Sequence, residues 1–147
     1  MRGDELTVGV RTEMKKILNL SEVPSLTVRH QLTLAAKAVG YSIKQWEGDT
    51  PTVADEDGHE FEWKPHLDDG DSRRLQVDLS INVMVTDNAT LIAVESNEWG
   101  LERYSSGFVQ PDDAYSMTRK LVLLCAAVIA GNSFVEGLSS YQESAQR

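Results

Sequence analysis

The sequence predicts an α+β domain built on a mostly antiparallel sheet of four to five strands with helices packed against it. Two helices are marked by capping residues and by apolar residues at helical spacing. Between them short alternating runs recur, and one pair flanks an Asp-Gly turn, the signal of a tight hairpin. At 147 residues and 41% hydrophobic, the chain is long enough for one core and too short for two ordinary domains.

Residues Met1–Glu13 are charged, mixed and aperiodic, and are expected to form a flexible segment before a single domain over residues 14–132. The first helix should run from about Ser25 or Thr27 to Val39, with Ser25 able to cap it after Pro24. Leu26, Leu32, Ala35, Ala36 and Val39 form its apolar face, and Gly40 stops it. Tyr41–Trp46 alternates and reads as a strand. Thr52-Val53-Ala54 and Glu60–Trp63 flank Asp55-Glu56-Asp57-Gly58 and read as a hairpin. After an Asp87-Asn88 turn, Ala89–Glu95 reads as a core strand, with Glu102–Phe108 as its antiparallel neighbour. Pro111-Asp112-Asp113 opens the closing helix with a proline, a cap and negative charge at the positive end of the helix dipole. That helix should run through Ile129 and stop at Gly131-Asn132. The tail, residues 133–147, is rich in Ser, Glu and Gln. It should be disordered or form a short docking helix with Phe134, Val135, Leu138 and Tyr141 on one face.

One stretch carries two periods at once. Leu75, Val77, Leu79, Ile81, Val83 and Val85 alternate with more polar residues, as in a half-buried strand. Asp71 is a good N-cap, however, and Leu75, Leu79 and Val83 share a helical face.

Charge and composition exclude several classes. The net charge of −9 argues against a sequence-independent grip on nucleic acid, which needs Lys and Arg to neutralise phosphate. No uninterrupted apolar run reaches the roughly 20 residues of a membrane span; the longest, Leu121–Ala130, reads as a core helix. The first residues contain no apolar segment of the secretory type, so a cytoplasmic protein is expected. The single cysteine, Cys125, lies within that apolar run and reads as a buried small hydrophobe.

The segment Trp63-Lys64-Pro65-His66-Leu67-Asp68-Asp69-Gly70-Asp71-Ser72-Arg73-Arg74-Leu75 resembles a stretch recurring in small phage and prophage proteins of the phage ABA sandwich type. An upstream Leu-Ala-Ala-Lys-Ala helix ending in Gly-Tyr and a capped helix near the C-terminus fit the same order, over about residues 32–132. The resemblance implies helices on both faces of the sheet, an α/β/α sandwich, and a helix over Asp71–Met84. It carries no activity with it, because proteins of this type are functionally uncharacterised. Read locally, Asp68-Asp69-Gly70 makes a turn in which Gly70 takes dihedrals that a side chain resists, and Asp71 caps the helix that follows.

Trp63, His66, Asp68, Asp69, Asp71 and Arg73 of this motif are the candidate binding residues, with Trp99 in the Ser96–Gly100 loop. Hard divalent cations take clustered oxygen ligands, so a metal-dependent hydrolase built on Asp68, Asp69 and Asp71, with His59 and His66, is the alternative reading. No nucleophile elbow, phosphate loop, dinucleotide fingerprint or zinc spacing occurs, so no catalytic residue, resident metal or cofactor is assigned. A phage-derived accessory protein that binds a host protein, or pairs with itself as a homodimer, is the expectation that remains.

Overall fold

The computed structural model describes residues 26–86 and 91–146. Helix α1 spans Val28–Val39, strands β1, β2 and β3 span Ser42–Glu47, Thr50–Ala54 and Glu60–Glu62, and helix α2 spans Asp69–Asp78. Strands β4, β5 and β6 span Asn82–Thr86, Leu91–Ser96 and Leu101–Phe108. A 3₁₀ turn over Pro111–Asp113 leads into helix α3, Ala114–Gln146.

The protein is α+β, and every strand pair is antiparallel. The strands form two three-stranded sheets, β1-β2-β3 and β4-β5-β6, in place of the expected single sheet with helices on both faces. The reason lies in α3. Every residue from Leu121 to Ala130 is buried, so this helix must be covered all round, and a layer on one side cannot do that. It packs chiefly on α1, and also on α2, β5 and β6. Ile92 and Val94 of β5 and Val53 of β2 join Leu32, Ala35 and Ala36 of α1 in one core around it.

Helix α1 begins at Thr27, whose hydroxyl accepts the His30 amide at 3.2 Å; the alternative cap, Ser25, lies outside the described residues. It ends on Gly40 at φ 82°, where the Tyr41 amide returns to the Ala36 carbonyl at 2.9 Å. The β2–β3 hairpin forms as read, with Ala54 opposite Glu60. Asp55 holds its loop by accepting the Asp57 and His59 amides at 3.0 and 2.9 Å.

The doubly periodic stretch divides between both readings. Its first part is helical only as far as Asp78, and Asn82–Thr86 is a strand, so the expected helix over Asp71–Met84 is too long. Leu75 and Leu79 are buried at helical spacing, whereas Val77 and Val85, inside on the alternating pattern, are exposed. Ser80, at φ 54°, ends α2 in the left-handed region, with its amide on the Val77 carbonyl and the Ile81 amide on the Gln76 carbonyl.

Leu91–Ser96 and Leu101–Phe108 pair as expected, while the Asp87-Asn88 turn and Ala89 lie outside the described residues. Helix α3 does not stop at Gly131-Asn132 but continues to Gln146. A glycine inside a helix weakens it by about 1 kcal/mol and does not of itself end it. The strip Phe134, Val135, Leu138 and Tyr141 falls on this last part, whose side chains lie outside those described, as does the segment Met1–Glu13. Taken whole, Pro111–Gly131 is long and apolar enough to cross a membrane, alone among the helices of the described residues; 67% of that window is buried inside the fold.

Candidate functional site

The Trp63–Leu75 motif folds as a turn followed by a capped helix. The Leu67 and Asp68 amides both return to the Lys64 carbonyl, at 3.0 and 2.8 Å, and reverse the chain. Asp68, not Asp71, is the N-cap of α2: its Oδ2 accepts the Asp71 amide at 2.8 Å. Asp71 stands three residues further on and reaches back, Oδ2 accepting the Lys64 amide at 3.0 Å. This is a capping box lengthened over the turn, each aspartate satisfying an amide that the other's segment leaves open. Gly70 lies within the first turn of α2 and is not among the glycines with positive φ. Its requirement is room, since a Cβ there would come within 3.1 Å of the Asp68 carboxylate.

The charges of this first turn are matched by two arginines. Arg74 Nη2 donates to Asp71 Oδ1 at 2.5 Å, and this bond holds the Arg74 pKa above its usual value. Arg119 on α3 donates Nη1 to Asp69 Oδ1 at 2.5 Å and Nε to the His66 carbonyl at 3.3 Å. His66 is half-buried, and its two ring nitrogens are shut from solvent without a hydrogen-bond partner. Burial pushes its pKa below the usual value.

Between α2 and α3 lies an open recess of about 210 Å³, lined by Asp69, Ser72, Arg73, Gln76, Tyr115, Thr118 and Arg119. Tyr115 stands at its edge, 71% exposed. Arg73 donates to the Gln76 side chain at 3.1 Å. Of the anticipated residues, Asp69 and Arg73 meet in this recess, while Asp68 and Asp71 hold the turn behind it.

Trp63 is a core residue at 3% exposure, with Tyr41 edge-on to it at 5.4 Å and to Phe61 at 5.3 Å. Trp99 is 42% exposed in the turn between β5 and β6, and Trp46 lies under the Arg29 guanidinium at 4.9 Å. The three tryptophans thus serve three separate places. Sequence reasoning missed Tyr115 and Arg119 as site residues. The signal was present: Asp69, Ser72, Arg73 and Gln76, and likewise Tyr115, Thr118 and Arg119, fall at the i, i+3, i+4, i+7 spacing of single helix faces. What periodicity does not supply is that these two faces meet.

Among the described residues, the carboxylate and imidazole atoms that gather within 4.8 Å are those of Asp55, Asp57 and His59, not the Asp68-Asp69-Asp71 set. Asp55 is occupied by two backbone amides and lies 3.5 Å from His59 Nδ1, which is the chemistry of a hairpin loop. Cys125 is fully buried, and desolvation pushes its pKa up to about 12, which keeps the thiol protonated and away from solvent in the folded chain. Comparison with known proteins gives no relative from which to carry a role: no protein-family model, no curated protein and no solved structure matches the chain.

Proposed function

We propose that this chain is a phage- or prophage-derived accessory protein that works in the host cytoplasm by binding another protein, a host factor or a second copy of itself. The observation that carries the binding reading is Tyr115, an aromatic side chain 71% exposed at the edge of a recess walled by Arg73 and Arg119. Tyrosine and arginine dominate the energetics of protein interfaces, because both bring large contact area and directed hydrogen bonds. The chain's net charge of −9 favours a partner with a basic surface. The phage origin rests on the resemblance of the Trp63–Leu75 segment.

Immobilised protein should retain a partner from bacterial lysate, and Tyr115→Ala and Arg73→Ala should each weaken that retention without lowering the melting temperature. Sedimentation of the full chain, and of one ending at Asn132, distinguishes self-association from a host partner. Monomers throughout, with nothing retained that Tyr115→Ala fails to retain, would refute the reading.

A further inference from the structure

Buried polar groups in folded proteins almost always find a partner, so an enclosed side chain without one asks for a reason. His66 is such a side chain: neither Nδ1 nor Nε2 makes a hydrogen bond, and neither is open to solvent. The groups that face it come from two elements. From the turn between β1 and β2, the Asp49 carboxylate favours a charged ring, and so does the Asp49 backbone, which stands beside the ring without a hydrogen bond of good geometry to either nitrogen. From α3, the Arg119 guanidinium opposes one, and burial opposes it more strongly than any neighbour. Asp49 is itself shared with Arg29, 3.7 Å away, which also donates to the Gly48 carbonyl at 3.0 and 2.6 Å.

The same residue is tied to α3 through its backbone, because the His66 carbonyl accepts Arg119 Nε. Arg119 has a second anchor in Asp69 and lines the recess. We propose that His66 is a proton-operated latch: the neutral ring stays packed, and the turn keeps its hold on Arg119; the charged ring leaves its enclosure, and Arg119 loses the His66 carbonyl. Protonation makes both ring nitrogens donors, so the enclosed ring then has two donors to satisfy and a charge beside a guanidinium. Movement of the Lys64–Asp68 turn towards solvent and Asp49 relieves all three. Because burial holds the ring's pKa below the ordinary value, the latch is closed at neutral pH and opens only as pH falls below the ordinary histidine range. It does not depend on the identity of any partner, or on there being one.

The test is a nuclear magnetic resonance pH titration of the whole chain that follows the His66 ring and the Arg119 Nε proton. His66 should titrate below the ordinary histidine range. Over that same titration the Arg119 Nε proton should lose several-fold of its protection from exchange with water, measured as the ratio of its exchange rate to that of exposed Arg103, since guanidinium exchange as such slows in acid. In His66→Phe, which cannot be protonated, that extra loss of protection should vanish. Should His66→Phe fail to fold, His66→Gln gives the same comparison with a polar, non-titrating side chain. A ratio of Arg119 to Arg103 exchange that stays constant while His66 titrates would overturn the proposal. So would an identical loss of protection in the non-titrating variant, or a His66 that titrates at or above the ordinary histidine value.

Discussion

Arg119 on α3 and Asp69 at the first position of α2, separated by 50 residues of chain, meet through Nη1 and Oδ1 at 2.5 Å. The two ends of this bond differ in setting. The Asp69 side chain is 64% exposed and the Arg119 side chain 18%. An ion pair with one partner in water contributes about 0.2–1 kcal/mol. A double-mutant cycle on Asp69→Asn and Arg119→Gln, read by chemical denaturation, should give a coupling in that range that shrinks with added salt. The single change Arg119→Gln should cost more than Asp69→Asn, because it also removes the donor to the His66 carbonyl.

The two aspartates of the lengthened capping box should separate by what each satisfies. Asp68→Ala removes one N-cap bond and should cost about 0.5–2 kcal/mol, while Asp68→Ser or Asp68→Asn should be nearly neutral. Asp71 is buried and serves both the Lys64 amide and Arg74, so Asp71→Ala should cost about 1.5–3 kcal/mol. Thermal or urea melts of the four variants check the order. Equal losses at the two positions would contradict the geometry.

How much of this could be read beforehand depended on the range of the interaction. Gly40 and the Asp55–Gly58 loop act within a few residues of themselves, and residue type alone places both; at the other end of α1 it offers Ser25 as the cap, whereas Thr27 holds the first turn. The motif itself pointed to Asp69 and Arg73, but the cap was assigned to Asp71 because capping residues at positions 68 and 71 are equivalent on composition alone. The division into two sheets was not readable, since alternation in β3 and β4 says nothing of whether their edges meet. Nor was the recess, whose two walls come from helices joined only by tertiary packing.

Asp55 should contribute to stability near neutrality and lose that contribution in acid. Its folded pKa lies below the unfolded value of 3.8, chiefly because its carboxylate accepts the His59 amide. A depressed carboxylate stabilises the fold above the unfolded pKa, and the contribution fades as pH falls through the folded one. Asp55→Asn keeps an oxygen for the loop amides but does not titrate. Its stability, followed by denaturation from neutral pH down through the carboxylate range, should fall less steeply than that of the unmodified chain.

Cys125 and Leu124 test the enclosure of α3. With its pKa pushed up to about 12 and no exposed surface, the Cys125 thiol should label only on unfolding. The rate of reaction with a thiol reagent should therefore rise with denaturant along the unfolding curve. Leu124→Ala leaves a cavity in the centre of the core and should cost about 2–5 kcal/mol. Fast stoichiometric labelling of native protein would contradict the packing seen here.

Ser80 offers a change in the stabilising direction. Its φ of 54° places a side chain in a region that costs an L-residue about 1–2 kcal/mol and costs glycine almost nothing. The turn is nevertheless held there, because the buried Ser96 hydroxyl donates to the Ser80 carbonyl at 3.2 Å and the Ile81 amide closes on Gln76. Both bonds use the backbone of residue 80 or its neighbour, so Ser80→Gly preserves them. Glycine also enlarges the unfolded ensemble, which offsets part of the gain by roughly 0.4–1 kcal/mol. The net expectation is a stabilisation of up to about 1 kcal/mol, while Ser80→Val should destabilise, since a β-branched residue tolerates positive φ worst. Ser96→Ala should weaken the same turn and leave the Ser80 carbonyl without its side-chain donor. Melting temperatures in the order Ser80→Gly, unmodified chain, Ser80→Val would establish that α2 ends on a left-handed residue at position 80; the reverse order would mean that it does not.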